Sequence, residues 1–332
     1  MKLATLKEGG RDGTLILVSF DLEKAVRVPD IAPTLQAALD DWAKAEPRLR
    51  ERWHALNQHD FNRPHLLEGV FALTPNACAA PLPRAYQWAD GSAYLSHVER
   101  ARKARGSEMP PAFQTDPLMY QGGSDHLMGA TAPLAFPTDD WGIDFEAEVA
   151  AVTDDVPRGV SAEDARRHIK LLMLVNDVSL RVLAQTELAK GFGFFQSKPA
   201  SACALAAVTP DSLGDRWDGG KLHLDVRVSL NGQPYGHPNA GRDATFDFPQ
   251  LIAHAARTRS LGAGSIIGMG TVSNRDSSVG YACLVEKRMV EKVETGTSTT
   301  PFLCFGDRVR IQVIDEHGND VFGAIDQEVK RE

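Results

Sequence analysis

Three acidic residues, Asp144, Glu146 and Glu148, alternate with apolar residues in the segment 144–150. If the segment is a strand, the three carboxylates share one face, with about 7 Å between successive Cβ atoms. Like charges at that spacing repel each other unless a cation lies between them. Mg²⁺ and Ca²⁺ prefer oxygen ligands, so the pattern is typical of a hard-metal site. The alternative is a half-exposed strand with a solvated acidic face, and this segment alone favours it because exposed acids are common.

A further carboxylate, Asp177, directly follows the apolar run 171–176. That run predicts a buried strand, and the residues from Val178 to Lys190 predict a helix. An aspartate between a strand and a helix is most simply a helix N-cap. Side chains at such a junction also converge on clefts in α/β proteins. Taken alone, the N-cap interpretation is favoured.

A histidine follows an aspartate by seven positions in the pair Asp90 and His97. If a helix begins after Asp90, His97 lies two turns further along the same face. A histidine near a metal-bound carboxylate can serve as a general base, although a lone helical histidine is more often an ordinary surface or core residue. The histidines at 54, 59 and 65 match no ligand spacing and are assigned to the surface.

The composition is that of a globular protein. Of the 332 residues, 43% are hydrophobic and 24% are charged, which excludes a disordered or fibrous chain. No apolar stretch approaches the roughly 18 residues of a membrane span, and the N-terminus turns polar too early for a signal peptide. A net charge of −8 without a basic block argues against nucleic acid as a partner. Four widely spaced cysteines indicate neither zinc nor a disulfide framework. We therefore expect a soluble, cytoplasmic protein.

The chain is expected to divide near a segment rich in proline and small residues at 74–83. This predicts a small N-terminal domain over 1–80 and a metal-binding catalytic domain over 81–332. The first domain has strand patterns at 15–18 and 25–28 and a helix from Ile31, which Pro47 should break or kink. The second is strand-rich, with hairpin turns at Asn231-Gly232 and at 317–319. Its glycine-rich segment 261–271 predicts a tight turn that approaches a ligand closely. The predicted class is α+β.

In this order along the chain, these motifs resemble the fumarylacetoacetate hydrolase family. Its pattern is matched by Asp90 with His97, Glu146 with Glu148, Asn176-Asp177 followed by Arg181, then Lys198, Gly270-Thr271 and Glu286; Tyr120, in Tyr-Gln-Gly, is similar to a substrate-binding segment. Ala184 departs from the pattern, since some members carry a substrate-binding glutamine there. The likeness covers roughly residues 85–329.

The resemblance implies a mixed β-roll catalytic domain, a small β-rich N-terminal domain, no nucleic-acid or membrane partner, and usually a homodimer. It also implies one divalent cation, Mg²⁺ or Ca²⁺, in each subunit. The implied residues are, for the metal, Asp90, Glu146, Glu148 and Asp177; for catalysis, His97 with Glu286, and Lys198; for substrate, Arg181, Tyr120 and Thr271.

The implied reaction is metal-dependent hydrolysis of the carbon–carbon bond of a β-diketo acid such as fumarylacetoacetate. Several alternatives stay open within the same chemistry: an acylpyruvate or fumarylpyruvate hydrolase, a 2-oxo-pent-4-enoate hydratase, and an oxaloacetate decarboxylase or tautomerase. A non-enzymatic binding protein on the same scaffold is a further alternative, which the full set of carboxylates and the His97–Glu286 pair argue against.

Overall fold

The computed structural model describes residues 1–58, 63–104 and 106–332, so the interpretation of His59 lies outside the described residues. The strands are β1 (Lys2–Leu6), β2 (Thr14–Val18), β3 (Lys24–Arg27), β4 (Phe71–Ala72), β5 (Trp88–Gly91), β6 (Met119–Gly122), β7 (Leu134–Phe136), β8 (Ile143–Asp144), β9 (Ala147–Thr153), β10 (Ile169–Asn176), β11 (Ser179–Leu180), β12 (Ala202–Cys203), β13 (Ala207–Val208), β14 (Val226–Leu230), β15 (Gln233–Gly236), β16 (Ile266–Gly268), β17 (Arg308–Val313) and β18 (Ile325–Arg331). The helices are α1 (Leu35–Asp40), α2 (Trp42–Gln58), α3 (Leu95–Ala104), α4 (Ala162–Ala165), α5 (Arg181–Lys190), α6 (Phe248–Ala255) and α7 (Leu284–Thr295).

Mixed sheets with helices packed around them make this an α+β protein, as the sequence predicts. The large sheet has the order β4-β3-β2-β1-β13-β10-β9-β16-β5-β6, and β12 also pairs with β10. A second sheet has the order β15-β14-β17-β18-β7. Most neighbouring strands are antiparallel, but β16 runs parallel to β5 and β18 runs parallel to β7. Among the described residues, no helix combines the length and the apolar composition that a membrane crossing requires.

The large sheet continues across the predicted domain boundary. β1 pairs with β13 through Lys2 opposite Val208 and Leu3 opposite Ala207. One apolar core also contains residues from both sides of the boundary, such as Leu3 and Met173. Because the N-terminal strands extend the sheet of the second unit and share its core, the two units pack as one body through this sheet.

Two local expectations for helices differ from the structure. The N-terminal helical segment is interrupted at Asp41, whose φ of −136° and ψ of 53° are not helical. Pro47 lies inside α2, within its first two turns, and does not end the helix. Asp90 lies on β5, whereas the helix that carries His97 begins only at Leu95. Asp90 and His97 therefore come from a strand and the following helix.

The predicted strands are found, with some boundaries changed. The run 171–176 lies within β10, which is buried on both faces as expected for a continuous apolar strand. The acidic segment forms two strands with different partners, since β8 pairs with β11 and β9 pairs with β10 and β16. Between them, Glu146 makes an isolated bridge with Cys283. The hairpin at Asn231-Gly232 joins β14 to β15, and both residues have positive φ, 52° and 76°, as a tight hairpin turn requires.

The middle of the large sheet brings the acidic residues together. β9 and β5 lie on either side of β16, and Gly268 of β16 is opposite Asp90 on one side and Ala150 on the other. A Cβ atom at Gly268 would lie 2.3 Å from Oδ1 of Asp90, so a larger residue there would displace this carboxylate. The glycine-rich segment therefore packs closely against a carboxylate of the candidate site, and its approach to a ligand stays a prediction.

Candidate active site

Three carboxylates from different parts of the chain form a buried cluster. Asp90, Glu148 and Asp177 are 7%, 0% and 0% exposed. They offer ligand oxygens that all lie within 4.8 Å of one another. Burial, followed by the negative charges of its neighbours, raises the pKa of Asp90 and of Glu148 well above the ordinary range. The cluster therefore carries an electrostatic cost that a cation would relieve.

The oxygens of this cluster differ in their hydrogen bonding. Oδ1 of Asp90 accepts a hydrogen bond from the backbone N–H of Gly270 at 2.9 Å. Oδ1 of Asp177 accepts one from the hydroxyl of Ser201, and Oδ2 one from the hydroxyl of Tyr120, both at 2.6 Å. Within the described ranges, Oε2 of Glu148 is buried without a hydrogen-bond partner. A buried, unpaired carboxylate oxygen beside two further carboxylates fits a divalent cation with oxygen ligands.

Glu146, the fourth predicted metal ligand, lies beside the cluster and is bound by two cations. Lys198 Nζ is 2.5 Å from its Oε2 and 2.6 Å from Oδ2 of Asp177. Arg181 Nη2 is 2.6 Å from its Oε1. Burial alone would raise the pKa of Glu146, but Lys198 and Arg181 hold it well below the usual range. Lys198 thus links Glu146 to the carboxylate cluster, and the role of Glu146 as a metal ligand stays a prediction.

Arg181 is also held by Asp144, the first acidic residue of the alternating segment. Its Nε donates to Oδ2 of Asp144 at 2.8 Å. Asp144 in turn accepts hydrogen bonds from the backbone amides of Leu284 and Val285, at 2.7 and 3.0 Å, at the start of α7. These amides lack partners within the helix, so Asp144 joins the N-terminus of α7 to Arg181. The sequence places Asp144 on the acidic face but does not indicate this role.

His97 and Glu286 form the predicted pair. Nδ1 of His97 lies 2.6 Å from Oε2 of Glu286, which is 1% exposed. Burial would raise the pKa of Glu286, but the hydrogen bond with His97, and the charges of His97 and Arg100, hold it below its ordinary value. An ionised carboxylate only accepts hydrogen bonds, so Nδ1 of His97 carries a proton, and in the neutral imidazole Nε2 is the proton acceptor.

The second carboxylate oxygen of Glu286 is bound by two residues that no sequence motif indicates. Its Oε1 accepts hydrogen bonds from Arg100 Nη1 and, at 2.9 Å, from the hydroxyl of Ser273. Arg100 also donates to the backbone carbonyl of Asn274 at 2.8 Å. Arg100 follows His97 by three residues in α3, about one helical turn. This spacing could have predicted that the two side chains lie on the same face of the helix. Ser273 had no such signal, because its contact with Glu286 is tertiary.

Seven of the ten predicted site residues line one cavity of about 710 Å³, and Glu148, Asp177 and Glu286 lie behind them. Its lining includes the predicted residues Asp90, His97, Tyr120, Glu146, Arg181, Lys198 and Thr271. The Thr271 hydroxyl lies 3.5 Å from Oε1 of Glu148, beneath the cavity wall. The structure therefore brings a candidate base, a buried carboxylate cluster and two fixed cations to one space. This combination can bind an anion, move a proton and stabilise negative charge.

Two curated proteins are similar to parts of this chain. The 2,4-didehydro-3-deoxy-L-rhamnonate hydrolase of Sphingomonas sp. is 29% identical over 160 residues, which cover 47% of this chain and 53% of that protein. Oxaloacetate tautomerase YisK of Bacillus subtilis is 26% identical over 207 residues, which cover 61% of this chain and 64% of that protein. The matched part of the chain thus spans between about half and two thirds of the length of these relatives.

Solved structures share the fold over the full length. Maleylpyruvate hydrolase from Sphingobium sp. SYK-6, in complex with manganese(II) and pyruvate, superimposes with a TM-score of 0.63 at 17% identity, covering 100% of this chain and 99% of the other. Residues 1–84 match the sequence model of the fumarylacetoacetase N-terminal domain 2. Residues 87–330 match that of the fumarylacetoacetate hydrolase C-terminal domain. The chain therefore belongs to the fumarylacetoacetate hydrolase family.

Proposed function

We propose that this protein is a metal-dependent hydrolase that cleaves the carbon–carbon bond between the two carbonyl groups of a β-diketo acid. The observation that carries the proposal is the contact between His97 Nδ1 and Glu286 Oε2 at 2.6 Å, beside the cavity that Asp90 also lines. This contact makes His97 Nε2 a base that can activate water. Neither decarboxylation nor tautomerisation needs an activated water, so the pair favours the reactions of the family that consume water, hydrolysis and hydration, over these two.

The first step assigned to this chain is proton removal from water. His97 Nε2 takes the proton while the water oxygen bonds to the acyl carbonyl carbon. Glu286 stabilises the imidazolium that forms, because it is buried, ionised and already aligned with Nδ1. General-base catalysis of this kind contributes about a hundredfold to ten-thousandfold in rate.

The attacked carbonyl oxygen becomes negatively charged, and Lys198 is the proposed stabilising cation. Burial would lower the pKa of Lys198, but Asp177 and Glu146 raise it, so the amine stays protonated. A fixed charge in a water-excluded site stabilises a transition state more than the same charge in water does. Tyr120, whose hydroxyl bonds Asp177, packs against the same amine, which lies 5.2 Å from its ring centre.

Arg181 is proposed to bind the substrate carboxylate. Its Nε and one Nη2 hydrogen serve Asp144 and Glu146, and among the described residues no hydrogen bond from Nη1 is found. The end of the guanidinium that faces away from these acids keeps two parallel donors, which match a carboxylate.

Asp90, Glu148 and Asp177 are proposed to hold a divalent cation such as Mg²⁺ or Ca²⁺, with Glu146 as a further candidate ligand. Bound there, the cation would act as a Lewis acid toward the electron pair of the departing fragment. When the carbon–carbon bond breaks, the departing carbon keeps that pair and receives the proton that His97 took from water. The products are a carboxylic acid and a methyl ketone, which together account for the substrate and one water.

The test follows the ultraviolet absorbance of the enolised diketone with fumarylacetoacetate and a set of acylpyruvates, with Mg²⁺ and then with chelator. Metal-dependent loss of absorbance, with an acid and a methyl ketone as products, is the expected result. No loss with any of these substrates, in protein shown to bind metal, would contradict the proposal.

A second candidate, the tautomerisation of oxaloacetate, is supported by the similarity to YisK. It interconverts enol and keto forms without consuming water or breaking a carbon–carbon bond. Accelerated decay of enol-oxaloacetate, with no acid product from acylpyruvates, would favour this candidate.

We further propose a homodimer, as the family resemblance implies. Light scattering of the purified 36.1 kDa chain should give about twice that mass. A mass of one chain at all concentrations would contradict it.

A further inference from the structure

The thiol of Cys283 lies next to the His97–Glu286 pair and has no part in the proposed reaction. Cys283 is 0% exposed and stands directly before the first residue of α7. In the part of the chain that the structure describes, no hydrogen bond of its sulfur is found, whereas the sulfurs of Cys78 and Cys304 each contact a backbone carbonyl. A buried sulfur without a partner is available as a ligand.

The thiol, the imidazole and the carboxylate are close enough to share one ion. Cys283, His97 and Glu286 offer a sulfur, a nitrogen and an oxygen that all lie within 4.8 Å of one another. Atoms bound to a tetrahedral Zn²⁺ ion at about 2.0 to 2.3 Å lie roughly 3.3 to 3.6 Å apart. If the ion takes Nδ1 and Oε2, their 2.6 Å contact must open by about 0.7 Å. His97 has room for this movement, because its side chain is 21% exposed and lines the cavity, which also gives the ion a path.

This ligand set differs in kind from the carboxylate cluster. Asp90, Glu148 and Asp177 offer only oxygen atoms, which suit Mg²⁺ and Ca²⁺. A thiolate together with an imidazole selects a thiophilic ion such as Zn²⁺. Three protein ligands leave the fourth position of a tetrahedral ion to water. The two groups of residues are therefore expected to bind different classes of cation.

Two features of the chain oppose an ion at Cys283. Burial, followed by the charges of Asp144 and Glu286, raises the pKa of the thiol well above its ordinary value. Zn²⁺ overcomes this cost, because a thiol that coordinates the ion is deprotonated outright. The charge of Arg100 also repels an ion, but Arg100 and Ser273 donate to Oε1 of Glu286 and leave Oε2 facing His97. The thiolate and Glu286 together balance the two charges of the ion.

We infer that His97, Cys283 and Glu286 form an inhibitory site for a thiophilic divalent cation such as Zn²⁺, separate from the carboxylate cluster. An ion on Nε2 of His97 occupies the proposed base directly. An ion on Nδ1 moves the ring proton to Nε2, which then no longer accepts a proton from water. In both cases the thiol proton is released to solvent and the ion keeps its oxidation state. The inhibition rests on the proposed function, because it acts on the proposed base, but the binding of the ion does not.

Binding is tested first, with Cd²⁺ as a spectroscopic probe of the thiolate. Titration of the full chain in excess Mg²⁺ should produce an ultraviolet charge-transfer band that saturates at one Cd²⁺ per chain. Cys283→Ala should lack this band, and Cys304→Ser, which changes an exposed cysteine, is the matched control and should keep it. A band that persists in Cys283→Ala, or that disappears in Cys304→Ser, would overturn the site.

A second variant guards against loss of folding in the first. Cys283→Ser keeps the size of the side chain but exchanges the sulfur for a hydroxyl, a much poorer ligand for a thiophilic ion. It should also lack the band while binding Mn²⁺ at the carboxylate cluster with the affinity of the wild type. A full Cd²⁺–thiolate band in Cys283→Ser would overturn the assignment of this cysteine.

Turnover separates the inhibitory site from the proposed function. If the protein cleaves acylpyruvates, Zn²⁺ added to the Mg²⁺-saturated enzyme should lower kcat by about a hundredfold or more, the contribution of a general base. Cys283→Ala should lose far less of its own activity at the same Zn²⁺ concentration. Equal inhibition of both proteins, or inhibition that excess Mg²⁺ reverses, would overturn the inhibitory site. If no acylpyruvate is cleaved but the Cd²⁺ band depends on Cys283, the proposed function fails and the binding site survives.

Discussion

Glu187 of α5 accepts two hydrogen bonds from Ser197, the residue directly before Lys198: one from the backbone amide at 3.1 Å and one from the hydroxyl at 2.5 Å. The amides of Phe195 and Gln196 also donate to this carboxylate, at 3.0 and 2.7 Å. A single surface carboxylate thus orders the loop that delivers Lys198 to Glu146. The position of a proposed active-site cation therefore depends on a residue that does not line the cavity.

Replacing Glu187 should reduce activity without removing any group from the cavity. Glu187→Ala releases the amides of 195–197, so Lys198 loses its fixed position, and kcat should fall about tenfold to a hundredfold. Steady-state kinetics measures this effect. Thr186→Ala, at the neighbouring position on α5, is the control, and an equal loss in both variants would contradict the role given to Glu187.

The stabilisation of this loop by Glu187 should depend on pH. Burial raises the pKa of Glu187, but the hydrogen bonds from the loop together lower it to about 2, from 4.5. Because the folded pKa is the lower one, this stabilisation is complete above pH 4.5 and is lost as the pH falls toward 2. The melting-temperature difference between the wild type and Glu187→Gln should be present at pH 7 and shrink steadily below pH 4.5. A difference that grows on acidification would contradict this sign.

Removing either member of the His97–Glu286 pair should abolish general-base catalysis but spare metal binding. His97→Asn and Glu286→Gln should each lower kcat by about a hundredfold to ten-thousandfold. Calorimetry with Mn²⁺ should give the same affinity as the wild type. His54→Asn, an exposed helical histidine, is the control. Wild-type turnover in His97→Asn would exclude this histidine as the base.

Glu148→Gln should lose metal binding and activity together. The substitution removes the carboxylate whose Oε2 has no partner among the described residues. It also replaces a carboxyl group whose ionised form is disfavoured by burial and by the neighbouring acids, so the metal-free variant should melt at a higher temperature than the metal-free wild type. Calorimetry and thermal melting with chelator check both parts. Full activity of this variant in chelator would refute the metal site.

Arg100 is expected to act as a positioning residue for the pair. Without its charge, Glu286 is less neutralised and stabilises a protonated His97 more strongly. Arg100→Met should therefore move the acid limb of the kcat/KM profile to higher pH, and Arg100→Lys should restore part of the wild-type profile. A purely structural role would lower activity without moving this limb.

Much of the site can be predicted from the sequence because its motifs are local. An acid repeated at strand period and an aspartate after an apolar run each limit where a carboxylate can lie. The seven-residue spacing of Asp90 and His97 does not, because one lies on β5 and the other on α3. The order of these motifs along the chain indicates the family, and the apolar run 171–176 and the turn at Asn231-Gly232 predict strands that are present. These features depend on backbone periodicity and turn conformation, which neighbouring residues determine.

Tertiary structure alone decides which of these groups meet. Asp90 and Glu148 approach because Gly268 lets β5 and β9 bring their carboxylates together across β16. Glu146 is paired with Lys198 and Arg181 instead. Such contacts join residues far apart in the sequence and depend on strand order, burial and the balance of charges in a buried space. The spacing of residues along the chain does not determine strand order, burial or this balance of charges. The charge balance of the site can therefore be read only from the folded structure.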